Sequence, residues 1–244
     1  MIIEKSMHAS YLSNTWLVAD RPGGSAVIVD TGGPAPPILD RIEALDLTPT
    51  HILCTHHHVD HVLGNDLFRS RFHIPVCGHE AEAALFDRLD QTLGHNETVE
   101  SGALTIRVIH TPGHTVGQAS YLVNGEALFP GDTLFKGSVG GTRAPGHTTF
   151  NDLRHSIMER LMTLDPGVTV HPGHTELTTL GHEWENNRFI RLWRGVDESS
   201  ESACTAFGQP AVLMLRAPDY DGGTKCQVRS GDGLIEVVPG SAVR

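Results

Sequence analysis

Short apolar runs rich in β-branched residues alternate with helical patterns along roughly the first 190 residues of the chain. Most of the runs are bounded by Gly, Pro, Asn or Asp, which is typical of buried strands. Both strand–strand and strand–helix–strand successions occur, so the pattern predicts a mixed sheet covered by helices rather than a purely parallel one. The predicted strands are Trp16–Val18, Ala26–Asp30, Ile52–Thr55, Ile74–Cys77, Leu104–His110, Ala119–Val123, Ala127–Phe129 and Val168–His171.

Three apolar stripes at helical spacing predict helices between these strands. The first follows Pro36 and Pro37, residues that favour the first turn of a helix. The second begins directly after His61, and the third runs from Phe150 until Pro166 ends it. Each stripe is one-sided, so these helices are expected to cover the sheet with one apolar face.

The character of the sequence changes after Gly195. Residues 197–202 are polar and acidic and predict a linker or surface loop. Three apolar runs joined by Gly-rich hairpin signals then predict a small meander: Ala211–Leu215, Lys225–Arg229 and Leu234–Val238. We predict a main domain over residues 1–195 and an acidic linker with a β-rich tail over residues 196–244. Because so short a tail does not fold alone, it is expected to pack on the main domain or on a second subunit.

The charge balance excludes several classes of partner. Lys and Arg number 18 and Asp and Glu number 29, which gives a formal net charge of −11. An acidic chain is a poor binder of phosphate backbones, and no apolar run approaches the ~18 to 20 residues of a spanning helix. The N-terminal residues lack the layout of a secretory signal, and four cysteines without CxxC spacing predict a reducing compartment. We expect a cytoplasmic protein that binds neither nucleic acid nor membrane.

Histidine is concentrated in one short stretch, placed where a predicted strand ends and a helix begins. Residues 55–61 are Thr-His-His-His-Val-Asp-His. Strand alternation puts His56 and His58 on one side, and the turn that follows brings Asp60 and His61 toward the same opening. Because imidazole nitrogens and carboxylate oxygens are ligands of zinc, the stretch predicts a metal site.

Three later loops each place a histidine or an aspartate just after a predicted strand, with Gly or Pro shaping the turn. Ligand-binding residues gather at strand ends in sheets of this kind. With these loops included, the predicted metal ligands are His56, His58, Asp60, His61, His114, Asp132 and His174. Seven ligands are too many for one tetrahedral zinc ion and suit two metals that share a carboxylate, with a position left open.

The motif His-x-His-x-Asp-His, followed in order by separated His, Asp and His, resembles the metallo-β-lactamase-fold hydrolase superfamily. The segments Thr111–Thr115 and Gly131–Phe135 are most similar to its glyoxalase II-like branch, the hydroxyacylglutathione hydrolases. The resemblance covers residues 1 to about 190. It implies an α/β fold, a four-layer αββα sandwich with the site at one edge of two sheets, and here a small β-rich extension follows it.

The resemblance also implies a role for each ligand. The first metal takes His56, His58 and His114, the second takes Asp60, His61 and His174, and Asp132 bridges them. The implied activity is hydrolysis of a thioester or related acyl compound by a metal-bound hydroxide, which Asp60 and Asp132 orient as catalytic residues. The implied cofactors are two divalent ions, with zinc as the default and iron or manganese also suited to a mixed nitrogen and oxygen site. A bridging carboxylate argues against antibiotic hydrolysis, because β-lactamases of the superfamily usually lack it.

The loop after Asp132 departs from the glutathione-specific members of the branch. Those enzymes hold the thiol carrier with a Lys and a Tyr, and Gly141 and Arg143 stand at the corresponding positions of the Lys136–Arg143 loop. Their basic, helical C-terminal domain is replaced here by the acidic linker and the β-rich tail. We therefore predict a small-molecule acyl substrate whose carrier is not glutathione. The oligomeric state stays open, with a homo-oligomer as one possibility.

The sequence is also compatible with three alternative functions. A lactonase would use the same seven ligands on a cyclic ester. A persulfide dioxygenase of the same fold would hold a single iron with His56, His114 and Asp132. A metal-binding protein without turnover is the third alternative. Strand alternation points His57 away from the metals, whereas His110 and His171 either orient ligands or are simply buried at strand ends.

Overall fold

The computed structural model describes residues 1–244 and contains two six-stranded sheets packed face to face. In the first sheet, the three N-terminal strands are antiparallel neighbours and the next three are added in parallel. The strands are β1 (Ile2–Met7), β2 (Asn14–Ala19), β3 (Ser25–Val29), β4 (Thr48–Leu53), β5 (Val76–His79) and β6 (Gln91–Leu93). Parallel pairing of β3, β4 and β5 brings the ends of these strands to one edge of the sheet.

The second sheet is antiparallel except at one pair of strands, β10 and β13. Its strands are β7 (Thr98–Ser101), β8 (Leu104–His110), β9 (Ala119–Val123), β10 (Ala127–Phe129), β13 (Thr169–Val170) and β14 (Thr178–Thr179). A short hairpin of β11 (Leu134–Phe135) and β12 (Ser138–Val139) follows β10. The strands predicted at 104–110, 119–123 and 127–129 have the bounds expected from the sequence.

The space between the two sheets is filled by alternate apolar residues of their strands. Trp16 and Val18 on β2 share one buried cluster with Ile106 and Val108 on β8. Successive side chains of a strand point to opposite faces, so the residues between these face outward. On the first sheet those outward residues need a second apolar layer, which helices provide.

Helices cover the outer faces of both sheets. Ile38, Ile42 and Phe68 pack on the first sheet, and Leu153 and Phe189 pack on the second. The helices are α1 (Ala35–Ala44), α2 (Val59–Val62), α3 (Asn65–Phe72), α4 (Phe150–His155), α5 (Leu180–Asn186) and α6 (Arg188–Trp193), with 3₁₀ turns at Glu80–Leu85 and Gly240–Ala242. The predicted four-layer αββα arrangement is thereby confirmed. No helix is long and apolar enough to cross a bilayer.

The predicted helix after Phe150 changes its winding along its length. Its N-cap is Thr149, whose side chain forms a reciprocal capping box with that of Asp152. After α4 the chain continues as a π-helix over Ser156–Leu161. The apolar stripe is kept through the change, because Leu153, Ile157 and Leu161 are all fully buried in one cluster.

The C-terminal residues form a four-stranded antiparallel sheet. Its strands are β15 (Ser202–Ala206), β16 (Gln209–Pro218), β17 (Thr224–Ser230) and β18 (Ile235–Pro239). The predicted meander corresponds to β16, β17 and β18, whereas β15 was not predicted. Leu215, Ala217 and Val237 belong to the same buried cluster as α4 and α6, so the sheet packs on the body of the protein. The boundary between residues 195 and 196 as a domain division stays a prediction.

Candidate metal centre

Two glycines make room for the side chains that gather at the strand ends. Gly131 has φ +51°, and a Cβ there would lie 2.4 Å from Thr55 Oγ1. A Cβ on Gly173 would lie 2.4 Å from Asp132 Oδ1 and 2.8 Å from His61 Cε1. The turns after β10 and β13 therefore need glycine, because any larger residue would occupy the position of the site itself.

The first group of inward-facing nitrogens comes from two loops. His56 and His58 lie between β4 and α2, and His114 lies in the loop after β8. His56 Nε2 is 3.0 Å from His58 Nδ1, and His114 Nε2 is 3.1 Å from the same atom. These three atoms lie within 4.8 Å of one another, which suits three ligands of one metal ion.

The second group contains a carboxylate and two imidazoles. His61 Nε2 and His174 Nε2 are 3.3 Å apart. Asp60 Oδ2 lies 3.6 Å from His61 Nε2 and 3.5 Å from His174 Nε2. The group forms where α2 meets the loop after β13.

Asp132 lies between the two groups and reaches both. Its Oδ1 is 3.3 Å from His61 Nε2, and its Oδ2 is 3.3 Å from His174 Nε2 and 3.6 Å from His114 Nε2. The structure thus brings all seven predicted ligands to one edge of the two sheets. Which of them binds which ion stays a prediction.

The outer nitrogen of each inward-facing histidine has a hydrogen-bond partner of its own. Main-chain carbonyls accept from His58 Nε2, His114 Nδ1 and His174 Nδ1 at 2.8, 2.9 and 3.0 Å; they belong to Pro145, Gly141 and Tyr11. His61 Nδ1 donates to Asp30 Oδ2 at 2.9 Å, and His56 Nδ1 contacts Thr55 Oγ1 at 3.0 Å. Since each carbonyl can only accept, the ring proton is held outward and the inner nitrogen keeps its lone pair.

The site requires a cation for two independent reasons. Several imidazole lone pairs face one another at about hydrogen-bond distance, where they repel unless a positive charge lies between them. In addition, Asp132 Oδ1 is buried and has no hydrogen-bond partner, which is costly for a carboxylate oxygen. Both features fit divalent metal ions bound by imidazole nitrogens and carboxylate oxygens.

The protonation states also favour metal binding. Burial lowers the pKa of His56 well below its usual value, and burial lowers the pKa of His114 to about 4. Burial raises the pKa of Asp132, but His174 and His61 outweigh this and hold it well below its usual range. His56 and His114 are therefore neutral and Asp132 is ionised at neutral pH, which is the state in which these groups ligate metals. Burial lowers the pKa of His61, but the carboxylates of Asp132 and Asp30 outweigh it and raise that pKa well above its usual value, so metal binding at His61 would release a proton.

His57 faces away from the ligand groups, as strand alternation predicts. Its Nδ1 lies 2.5 Å from Oε1 of Glu82, and its main-chain N–H donates to the same oxygen at 2.6 Å. The other oxygen of this buried carboxylate accepts from Thr115 Oγ1 at 2.5 Å and from the Gly117 N–H at 2.7 Å. Glu82 therefore joins the His56–His61 segment to the loop that carries His114.

His110 and His171, for which the sequence left two roles open, do not orient the ligands. His110 Nε2 donates to the Val116 carbonyl, and its ring stacks on His79. The ring of His171 stacks on Phe129 with centroids 4.8 Å apart. Burial at a strand end accounts for both residues.

Three residues close to the ligands were missed from the sequence. Asp30 follows β3, the strand next to β4, and the rule that found Asp132 applies equally to it. Glu82 gave no usable signal, because its partners come from segments distant in sequence. Tyr220, between β16 and β17, also gave none, yet its ring stacks on His174 at 4.4 Å with an interplanar angle of 15°.

The loop after Asp132 faces the C-terminal sheet. Gly141 presents its carbonyl to His114, and Arg143 pairs with Glu236 of β18 through two hydrogen bonds of 2.6 and 3.0 Å. A cavity of about 650 Å³ lies between this loop and the sheet, and His114 forms part of its wall. The cavity thus begins at the candidate metal centre.

Comparison with known proteins supports the same chemistry. A family model described as the metallo-beta-lactamase superfamily matches residues 11–174. Hydroxyacylglutathione hydrolase of Rhizobium meliloti (strain 1021) is 36% identical over 230 residues, which cover 92% of this chain and 85% of that protein.

Two solved structures are similar over most of the chain. The crystal structure of BLEG-1 B3 metallo-beta-lactamase has a TM-score of 0.72 at 30% identity and covers 78% of this chain and 99% of its own. The crystal structure of ETHE1 from Myxococcus xanthus has a TM-score of 0.70 at 28% identity and covers 81% of this chain and 92% of its own. The three relatives differ in name, so similarity to them does not define one substrate.

Proposed function

Because the chain belongs to the metallo-beta-lactamase superfamily, we propose that it is a binuclear metal-dependent hydrolase of a thioester or a related acyl compound. The observation that carries the proposal is the position of Asp132 between two groups of inward-facing ligands. A carboxylate that reaches both groups suits two ions and one shared ligand. Zinc is the proposed metal, because histidine nitrogens and aspartate oxygens are the ligands that bind zinc in catalytic sites.

Each side chain of the centre has a proposed part in the reaction. When bound, the two ions would lower the pKa of a coordinated water to about 7, so that it is a hydroxide near neutral pH, and would polarise the acyl carbonyl. Asp60, whose side chain is 21% exposed, accepts a hydrogen bond from the attacking water and orients it. Asp132, which reaches both groups of ligands, orients the same water as well as ligating. No serine or cysteine nucleophile is required.

The similarity to hydroxyacylglutathione hydrolase of Rhizobium meliloti favours a thioester substrate. Gly141 and Arg143 stand where the glutathione-specific enzymes have a Lys and a Tyr. The ammonium and phenol groups that would hold glutathione are therefore replaced, and Arg143 is already paired with Glu236, which favours a different carrier. A lactonase reaction would use the same ligands, so a lactone belongs in the substrate panel. The proposed location is the cytoplasm, in keeping with the unpaired cysteines.

One second candidate deserves a direct test, because the ETHE1 structure of Myxococcus xanthus is also similar to this chain. It is a persulfide dioxygenase with a single iron bound by His56, His114 and Asp132. That arrangement would leave Asp60, His61 and His174 without a metal, although their ligand atoms lie within 4.8 Å of one another. The geometry of the second group therefore favours the two-metal hydrolase.

The experiment compares turnover and metal content of the same protein sample. Protein reconstituted with zinc, iron or manganese is assayed with one acyl group presented as a thioester and as a lactone, with a β-lactam as a control. We expect thioester hydrolysis, two ions per chain, and a loss of both kcat and second-site metal affinity in Asp60→Asn, because Asp60 belongs to the second group of ligands. One iron per chain, together with oxygen consumption on a persulfide, would establish the dioxygenase instead.

A further inference from the structure

The C-terminal sheet forms one wall of the cavity that begins at the candidate metal centre. His114 and Gly141 lie at its inner end, and Tyr220, Phe207 and Ser241 lie along the opposite wall. At about 650 Å³ the cavity is within the usual size of a small-molecule site. The part of a substrate that extends away from the reacting carbonyl has room here.

The wall is held firmly against the ligand loops. Ser138 Oγ donates to Asp219 Oδ1 at 2.8 Å, and Lys225 Nζ donates to the Val139 carbonyl at 2.9 Å. Thr142 exchanges two hydrogen bonds with the main chain of Val237, both of 2.9 Å. These contacts join the sheet to the loop that follows Asp132, so the cavity is preformed.

The two cations of the cavity are already neutralised by carboxylates. Arg143 makes its bidentate pair with Glu236, and Lys225 Nζ lies 3.1 Å from Asp219 Oδ2. Asp221 also lines the cavity, accepts a hydrogen bond from the Gly223 N–H at 2.8 Å, and has no cation as a partner. The cavity therefore has one carboxylate in excess, within a chain whose net charge is −11.

The remaining polar groups of the cavity suit uncharged hydrogen-bonding partners. Ser241 has no hydrogen bond from its hydroxyl to the rest of the protein, and Nη1 of Arg143 donates to nothing. Both can donate to an amide carbonyl, and Phe207 and Pro239 supply apolar surface beside them. A lining of this kind fits an arm of amides better than a hydrocarbon chain.

We propose that this cavity binds the thiol carrier of the substrate, and that the carrier is an uncharged thiol arm bearing amide groups. The inference rests on the proposed thioester hydrolysis and adds the class of carrier. Anionic carriers such as glutathione are disfavoured by Asp221 and by the neutralisation of Arg143, since like charges at a binding site lower affinity. Specificity here depends on repulsion as much as on attraction.

The test uses two thioesters with the same acyl group, one on N-acetylcysteamine and one on glutathione, and the metal-loaded full chain. The quantity measured is the ratio of their kcat/KM values. We expect the N-acetylcysteamine thioester to be preferred, and Asp221→Asn or Glu236→Gln to shift the ratio toward glutathione by about two- to fivefold each. Added salt should weaken the wild-type preference, because it screens exposed charges.

Asp232→Asn is the matched control, because it removes the same charge from the turn between β17 and β18, outside the cavity lining. It should leave the ratio unchanged. Glu236→Gln removes the ion pair with Arg143 that helps to hold the sheet, so this variant could unfold. Asp221 lies on an exposed turn, so Asp221→Asn tests the effect of the cavity charge without that risk. A preference for the glutathione thioester that Asp221→Asn does not alter would overturn the inference.

A binding measurement separates this inference from the proposed function. The S-methyl thioethers of N-acetylcysteamine and glutathione cannot be hydrolysed, so calorimetric titration reports carrier binding alone. Tighter binding of the neutral thioether, lost in part in a Ser241→Ala variant, supports the inference even if no thioester is turned over. Equal binding of both thioethers contradicts it, whatever the kinetics show.

Discussion

Oδ2 of Asp30 lies 2.9 Å from Nδ1 of His61, and both side chains are buried. The same carboxylate accepts the Thr55 N–H at 2.7 Å and the Thr55 hydroxyl at 2.8 Å. One side chain just after β3 thus holds Thr55, which precedes the His56–His61 segment, and the ring of a ligand on α2. The hydrogen bond fixes the His61 proton on Nδ1, and Nε2 is left to bind a metal ion.

Asp30→Asn should therefore weaken metal binding without unfolding the protein. Asp30 has φ +52°, a conformation that asparagine tolerates. The asparagine amide would donate to Nδ1 of His61 and move the ring proton to Nε2, where it blocks ligation. We expect a loss of about 10- to 100-fold in affinity for the second metal ion, measured by titration against a chelator.

The matched control for this substitution is Asp46→Asn. Asp46 also has a left-handed backbone, with φ +51°, but it is exposed and far from the ligands. Its metal affinity should equal that of the wild type. If both variants bind metal as the wild type does, the carboxylate of Asp30 does not set the His61 tautomer.

The strands of the two main sheets could be predicted because their signal is local. Leu104–His110 and Ala119–Val123 alternate or run apolar between clear breaks, and their bounds were right. β11 and β12 have two residues each, too few for any period to show. β15 could not be predicted, because it pairs with β16 at the surface and none of its residues is fully buried, so its sequence shows no apolar pattern.

The candidate ligands could also be predicted, since each follows a strand and has a residue type that binds metals. Asp30 satisfied the same rule and was missed only because no motif surrounds it. Tyr220 and Glu82 are different, because their roles depend on contacts between segments far apart in sequence. Such contacts leave no trace in spacing or composition.

The buried carboxylate of Glu82 should be a major contributor to stability. It accepts four hydrogen bonds, from the N–H and ring of His57, the hydroxyl of Thr115 and the N–H of Gly117. In Glu82→Gln an amide N–H₂ would face these donors, and we expect about 3 to 5 kcal/mol less free energy of unfolding. Urea unfolding of the metal-free protein measures this without a contribution from bound ions.

Glu80→Gln tests the same chemical change on the same 3₁₀ turn, at an exposed position. It should alter the free energy of unfolding by less than about 0.5 kcal/mol. A similar loss in the two variants would show that the Glu82 hydrogen bonds do not bear on stability.

Acid should destabilise the protein partly through His79, a buried histidine outside the metal centre. Burial lowers its pKa to about 4, from the 6.5 of the unfolded chain. Between these values the unfolded chain binds a proton that the native protein does not, so stability present above pH 6.5 is lost as the pH falls toward 4. The loss attributable to His79 is up to about 3 kcal/mol.

The variant His79→Asn isolates this contribution. His79 caps the 3₁₀ turn by accepting the Ala81 N–H, and asparagine can cap in the same way without titrating. The difference in unfolding free energy between pH 7 and pH 4.5, measured without metals, should shrink by about 2 kcal/mol. His73→Asn, at an exposed left-handed position, should leave that difference as it is in the wild type.

Asp132 and His57 offer the sharpest comparison within the candidate centre. Asp132 reaches both groups of ligands, with oxygens 3.3 Å from His61 Nε2 and from His174 Nε2. His57 points away, and without its ring Glu82 still accepts the main-chain N–H at 2.6 Å. Asp132→Ala should therefore lower the metal content below two ions per chain and reduce hydrolysis by more than about 100-fold, whereas His57→Ala should cost less than about tenfold. Elemental analysis and steady-state rates on the same samples measure both effects, and equal losses in the two variants would contradict the assignment of Asp132 as the shared ligand.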